Sequence, residues 1–170
     1  PFLIERSIDF LPLDPIFVQW FPRRLDRAAI LPMAQHLWDH TEPAGWVSHL
    51  TTGLDELPPK NVLSIVAKND QQVTNLGSDL AARMMGIPVV AGSARAPWGL
   101  EIATAPYTGS GYVTLDLGDR APPTTNTAAE FNDEGHSTIC WTESCIQLID
   151  AFLRPDGQVT MPCDGVCDPD

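Results

Sequence analysis

The chain has few basic residues, and this shortage argues against two kinds of partner. Ten Lys and Arg residues stand against 22 Asp and Glu residues in a chain of 170, which gives a formal net charge of −12. Binding to nucleic acid needs clustered cations that neutralise phosphates, so we predict no nucleic-acid partner. An anionic membrane surface is a poor partner for the same reason.

The sequence also lacks a long apolar run. No stretch approaches the roughly 18 uncharged apolar residues that a membrane helix needs, so we predict no membrane span. No basic start followed by an apolar stretch marks a signal peptide. The chain begins at Pro1 without an initiator Met, and we therefore expect a mature or truncated polypeptide.

Apolar residues make up 44% of the chain, which is enough to build a core. We predict a helical region over residues 1–54, serving as a lid or a connection, in which Pro32 separates two short helices. An α/β core is expected over residues 55–155. An acidic, cysteine-containing tail follows over residues 156–170.

Residues 61–67 (NVLSIVA) are almost continuously apolar, which is typical of a strand buried on both faces of a parallel sheet. Leu76, Leu80 and Met84 then recur at four-residue steps, and this spacing predicts a helix that begins at an Asn75 cap and ends at Gly86. Strand, polar turn and helix in this order form an α/β unit.

A second strand is predicted over residues 111–117 (GYVTLDL), where apolar residues alternate or run together. The last helix is expected from about Ser137 to Leu153, because large apolar residues recur there at helical spacing. The predicted fold class is therefore α/β, with buried parallel strands and flanking helices.

Two residues stand where catalytic groups collect in such a fold. Asp70 follows a buried strand at its carboxyl end, the edge at which open α/β sheets bind their ligands. His136 lies in a predicted loop immediately before the last helix. An acid after one strand and a histidine after a later one have the order of the second and third members of a nucleophile, acid and histidine triad.

The segments around these two residues resemble the α/β-hydrolases of the secreted esterase and lipase type. Residues 62–73 (VLSIVAKNDQQV), the helix with SDLAAR over 78–83 and GIP over 86–88 resemble the acid-bearing segment of that family. Gly135 and His136, followed by an amphipathic helix, resemble its histidine loop. The resemblance covers roughly residues 55–155. It implies a Ser-His-Asp esterase of small-molecule or lipid esters, secreted or periplasmic, with no cofactor.

One part of the family pattern is missing. The family carries its nucleophile in Gly-x-Ser-x-Gly upstream of the acid, and that pentapeptide is absent from the sequence. Gly109-Ser110-Gly111 is the nearest match, but it follows Asp70 and precedes a strand, so we interpret it as a turn. The resemblance therefore implies the C-terminal portion of a hydrolase sheet. Its N-terminal half, with the serine, would come from the same precursor or a separate chain, and this chain alone would be inactive.

Four cysteines, Cys140, Cys145, Cys163 and Cys167, lie in the last part of the chain. Their even number and clustering favour one or two disulfides and an oxidising compartment, with all three pairings open and free thiols as an alternative. Zinc is a weaker alternative, because Cys163 and Cys167 form the one tight pair.

Two further patterns compete with the esterase hypothesis. His36 and His40 at i and i+4 on one helical face could bind zinc, as in a peptidase. Residues 121–170 hold nine acids and one base, and the tail, with Asp164 and Asp168, could chelate calcium. The alternative function is thus a non-catalytic secreted module that binds calcium or a basic partner.

Overall fold

A parallel sheet forms the centre of the computed structural model, which describes residues 5–118, 120–125, 127–129 and 134–167. The strands are β1 (Leu63–Ala67), β2 (Val89–Val90), β3 (Ile102–Ala103) and β4 (Gly111–Leu115). They lie in the order β1-β4-β2-β3, and every pairing is parallel. The predicted α/β class is confirmed. Strands β2 and β3 were not predicted, because two-residue strands are too short to show a periodicity.

Helices cover both faces of this sheet. The α-helices are α1 (Asp14–Trp20), α2 (Arg24–Trp38), α3 (Val47–Thr52), α4 (Asn75–Met85), α5 (Glu134–Thr138) and α6 (Glu143–Leu153). Short 3₁₀ helices span Ile8–Leu13, Pro43–Gly45 and Ile139–Trp141. Within the described ranges, the helices are all too short or too polar to cross a membrane.

The residues of β4 alternate between two apolar clusters, as the period of a strand requires. Val113 and Leu115 pack with Leu148 of α6 on one face. Tyr112 packs with Ala82 of α4 on the other. All five residues of β4 are buried, so the strand lies at the centre of the core.

The bounds of α4 correct one detail of the prediction. Gly86 ends the helix in the left-handed conformation (φ 66°), as expected. The N-cap residue is Thr74, however, and Asn75 is already helical. The side chain of Asn75 makes contacts with the preceding turn instead, and these belong to the candidate site.

Pro32 does not divide the second helix, so the prediction of two short helices is wrong. Helix α2 runs without a break from Arg24 to Trp38. A proline inside a helix removes one backbone hydrogen bond, from its own missing N–H to the carbonyl four residues earlier. Ala28, which carries that carbonyl, lies on the exposed surface, where water can satisfy it.

The predicted last helix is also divided. His136 lies in α5 rather than in a loop, a 3₁₀ turn follows, and α6 begins only at Glu143. Thr142 separates the two parts because its backbone is extended (ψ 145°) and its hydroxyl accepts the N–H of Cys145 at 3.2 Å. A threonine in this role is a helix N-cap.

Candidate acid–histidine site

Asp70 lies in the turn that follows β1, at the carboxyl edge of the sheet. Its Oδ1 atom accepts the backbone N–H groups of Gln72 at 2.8 Å and Val73 at 2.7 Å. Only 7% of its side chain is exposed. Hydrogen bonds from backbone N–H groups favour the ionised form of a carboxyl group, so the turn is built to hold a carboxylate.

The structure brings His136 onto this carboxylate, although the two residues are far apart in sequence. The Nδ1 atom of His136 lies 2.8 Å from Oδ2 of Asp70. A carboxylate can only accept a hydrogen bond, so Nδ1 must carry the hydrogen. The pair therefore fixes the tautomer and orientation of the imidazole, which is what an acid does for the general base of a triad.

The side chain of Asn75 supports the turn that carries Asp70. Its Oδ1 atom accepts the N–H of Asn69 at 2.6 Å, and its Nδ2 group donates to the carbonyl of Ala67 at 2.8 Å. Asn69 has a positive φ of 59°, a conformation that asparagine tolerates better than most residues. Asn75 was predicted to be a helix cap, and this role was not predicted.

We expect Asn75→Ala to destabilise the chain and loosen the Asp70 turn. The substitution leaves a backbone N–H and a backbone carbonyl without their partner, and Asn75 itself is only 3% exposed. The free energy of unfolding should fall by about 2 kcal/mol, measured by urea denaturation. Asn61→Ala, at an exposed position, is the matched control and should change it by less than about 0.5 kcal/mol.

A partly buried ion pair lies beside the turn that carries Asp70. Arg95 donates two hydrogen bonds to Asp79 of α4, at 3.0 and 2.8 Å, and the hydroxyl of Tyr112 donates a third at 2.8 Å. A cleft of about 210 Å³ is lined by Asp70, Asp79 and Arg95. This network connects α4 and β4 to the loop after β2. The network was not predicted, because no short-range pattern links the three residues.

Because of Tyr112, the free energy of unfolding should fall at alkaline pH. Burial, with the charge and hydrogen bond of Asp79 adding to it, raises the pKa of Tyr112 well above its ordinary value. A tyrosine in the unfolded chain ionises near pH 10. The contribution of Tyr112 to the free energy of unfolding is therefore complete below about pH 10 and is lost as the pH rises further. Urea denaturation at about pH 9 and about pH 11 should show this loss.

The matched variant for this measurement is Tyr112→Phe, which should weaken the alkaline dependence. Tyr107 is the other tyrosine of the chain, and burial raises its pKa too, so a smaller dependence should remain. An alkaline loss of the same size in Tyr112→Phe and in the natural sequence would contradict the assignment.

The two histidines considered as zinc ligands, His36 and His40, do not lie on one helix. His36 lies in α2 with 85% of its side chain exposed, whereas His40 lies beyond the end of that helix. Across the described ranges, no three His, Cys, Asp or Glu side chains are grouped so that they could hold a metal ion. The two histidines therefore do not share the helical face on which the zinc hypothesis depended.

The tail contains a disulfide between Cys163 and Cys167. Cys140 and Cys145 are free thiols. The disulfide closes a loop that includes Asp164, whereas Asp168 lies outside the described residues. The structure thus selects one of the pairs that the sequence left open.

Ser110 lies at the opposite edge of the sheet from Asp70. Its hydroxyl accepts the N–H of Val62 at 2.9 Å, and Gly111 begins β4 beside Leu63, the first residue of β1. Ser110 therefore joins the amino ends of two strands, in agreement with its interpretation as a turn. It does not stand beside His136.

These features define an α/β protein with a carboxylate and an imidazole in contact at the carboxyl edge of a parallel sheet. The chain matches no known family model, no curated protein and no solved structure.

Proposed function

We propose that this chain is the C-terminal portion of an α/β-hydrolase that cleaves carboxylic esters. In this proposal Asp70 is the triad acid and His136 is the general base. The nucleophilic serine lies outside residues 1–170. The observation that supports it is the 2.8 Å contact between His136 Nδ1 and Asp70 Oδ2. Its position after a strand of a parallel sheet adds support.

The proposed chemistry is acyl transfer. As the serine Oγ attacks the ester carbonyl, Nε2 of His136 takes its proton, and Asp70 stabilises the imidazolium that forms. The imidazolium then gives this proton to the departing alcohol oxygen, leaving an acyl-enzyme. In the second half, His136 takes a proton from water, and the hydroxide that attacks the acyl-enzyme releases the carboxylic acid. The serine recovers its proton from His136.

The position of β1 at one edge of the described sheet supports the idea that another polypeptide segment completes the sheet. Among the described strands, β1 pairs with β4 alone. Leu63 and Ile65 of β1 line an apolar groove together with Ile149 and Phe152 of α6. An edge strand presents unpaired backbone groups to which another strand can add, so an apolar edge of this kind could accept a completing segment.

Exposed apolar side chains on the helical region give a second reason. Trp20, Leu25 and Leu37 are 72%, 80% and 75% exposed. Large apolar side chains left this exposed are surface that a further segment or a ligand could cover. In the proposal, residues 1–54 are a lid or connection that contacts the completing segment or a small-molecule or lipid ester. The Cys163–Cys167 disulfide fits a secreted or periplasmic protein.

A fluorophosphonate probe, which phosphonylates activated serines, tests the proposal. The chain alone should take up no probe and should not hydrolyse p-nitrophenyl butyrate. The longer natural polypeptide, or this chain mixed with its completing half, should be labelled on a single serine outside residues 1–170. Labelling of Ser110 or Ser137 in the chain alone would contradict the placement of the nucleophile.

A further inference from the structure

Two free thiols lie on either side of the break between α5 and α6. Cys140 belongs to the 3₁₀ turn Ile139–Trp141, and Cys145 belongs to the first turn of α6. The extended backbone of Thr142 turns the chain between them. As a result both thiols line the same apolar groove beside β1.

The two thiols differ in their access to solvent. Cys140 is exposed, whereas Cys145 is 1% exposed in the apolar cluster with Leu148. Burial, with the neighbouring Cys140 adding to it, raises the pKa of the Cys145 thiol to about 11. Because thiolates are the reactive form, a disulfide oxidant should meet Cys140 first.

A disulfide is already present in the same part of the molecule. The Sγ atom of Cys163 lies 3.6 Å from Oγ of Ser144, the residue before Cys145. Cys163 and Cys167 are bonded to each other, so neither is available to Cys145 without exchange. An environment that maintains one disulfide also favours oxidation of a second pair of neighbouring thiols.

We propose that Cys140 and Cys145 form a second disulfide when the chain meets a disulfide oxidant. The Cys140 thiolate attacks one sulfur of the oxidant, forming a mixed disulfide and releasing one thiol. Cys145 then loses its proton and attacks Sγ of Cys140, which releases the second thiol of the oxidant. The two protein thiols are oxidised and the oxidant disulfide is reduced to two thiols.

The bond would join the turn that follows α5 to the start of α6. Cys140 follows His136 by about one helical turn, so the cross-link would limit the movement of the segment that carries this histidine. The inference depends only on the two cysteines and is independent of the proposed esterase activity.

Alkylation of the oxidised chain tests the inference. The variant Cys163→Ser/Cys167→Ser retains only Cys140 and Cys145. After treatment with glutathione disulfide, it is denatured and alkylated with N-ethylmaleimide without reductant. Its uptake of N-ethylmaleimide should fall from two groups to none, and a reductant should restore both. Cys140→Ser in the same background is the control and should form no internal disulfide.

Peptide mapping of the natural sequence after the same oxidation gives an answer even if the variant does not fold. The map should show one disulfide between Cys140 and Cys145 and one between Cys163 and Cys167. Alkylation of both Cys140 and Cys145, or a bond from either of them to Cys163 or Cys167, would overturn the inference.

Discussion

Replacing His136 with Ala should reduce the turnover number of the serine-containing polypeptide on p-nitrophenyl butyrate by at least about 10³-fold. In the proposed mechanism the imidazole takes the proton of the nucleophile, and its Nδ1 atom lies 2.8 Å from Oδ2 of Asp70. Alanine supplies no base in its place. Binding of the ester should change much less, because the imidazole acts mainly in the transition state.

His36→Ala is the matched control for this loss. It removes another histidine, but one whose side chain is 85% exposed on α2, so the turnover number should stay within about twofold. Equal activity in the two variants would remove His136 from the mechanism. A large loss in both would point to unfolding, which circular dichroism of each variant detects.

Replacing Arg95 with Ala should have the largest effect on stability. Asp79, which is 6% exposed beside Arg95, would lose its two hydrogen bonds from the guanidinium and retain the one from Tyr112, without a cation beside its charge. Removal of one partner of a buried ion pair costs about 3 kcal/mol or more. Urea denaturation should show this decrease in the free energy of unfolding.

Arg154→Ala is the matched control for Arg95. Arg154 forms an ion pair with Asp150 on the exposed surface of α6, and such surface pairs contribute less than about 1 kcal/mol. A second variant, Arg95→Met with Asp79→Leu, should recover part of the lost stability because no buried charge remains. Equal losses for Arg95→Ala and Arg154→Ala would contradict the account.

Local sequence patterns were sufficient to place Asp70 after a buried strand, whereas they placed His136 in a loop and the structure has it in α5. The apolar run over residues 61–67 marks a buried strand, so Asp70 could be placed at its carboxyl end without the structure. The helix between Asn75 and Gly86 was predicted correctly for the same kind of reason, since its apolar stripe and terminal glycine are local signals.

The supporting contacts depend on tertiary structure and could not be predicted in this way. Asn75 reaches back to Asn69 and Ala67 only because the chain turns between β1 and α4. Arg95, in the loop after β2, contacts Asp79 of α4, and no local sequence pattern predicts that these two elements lie side by side. The break at Thr142 was overlooked because the apolar spacing continues through it, although a threonine followed by a glutamate is a common helix start.

A double-mutant cycle on Asp70 and His136 tests the central claim most directly. It compares the turnover numbers of the serine-containing polypeptide with Asp70→Asn, His136→Ala and both substitutions, on p-nitrophenyl butyrate. Residues that act as one unit lose activity non-additively, so the double variant should be no slower than His136→Ala alone. Losses that multiply, or full activity in His136→Ala, would contradict the account.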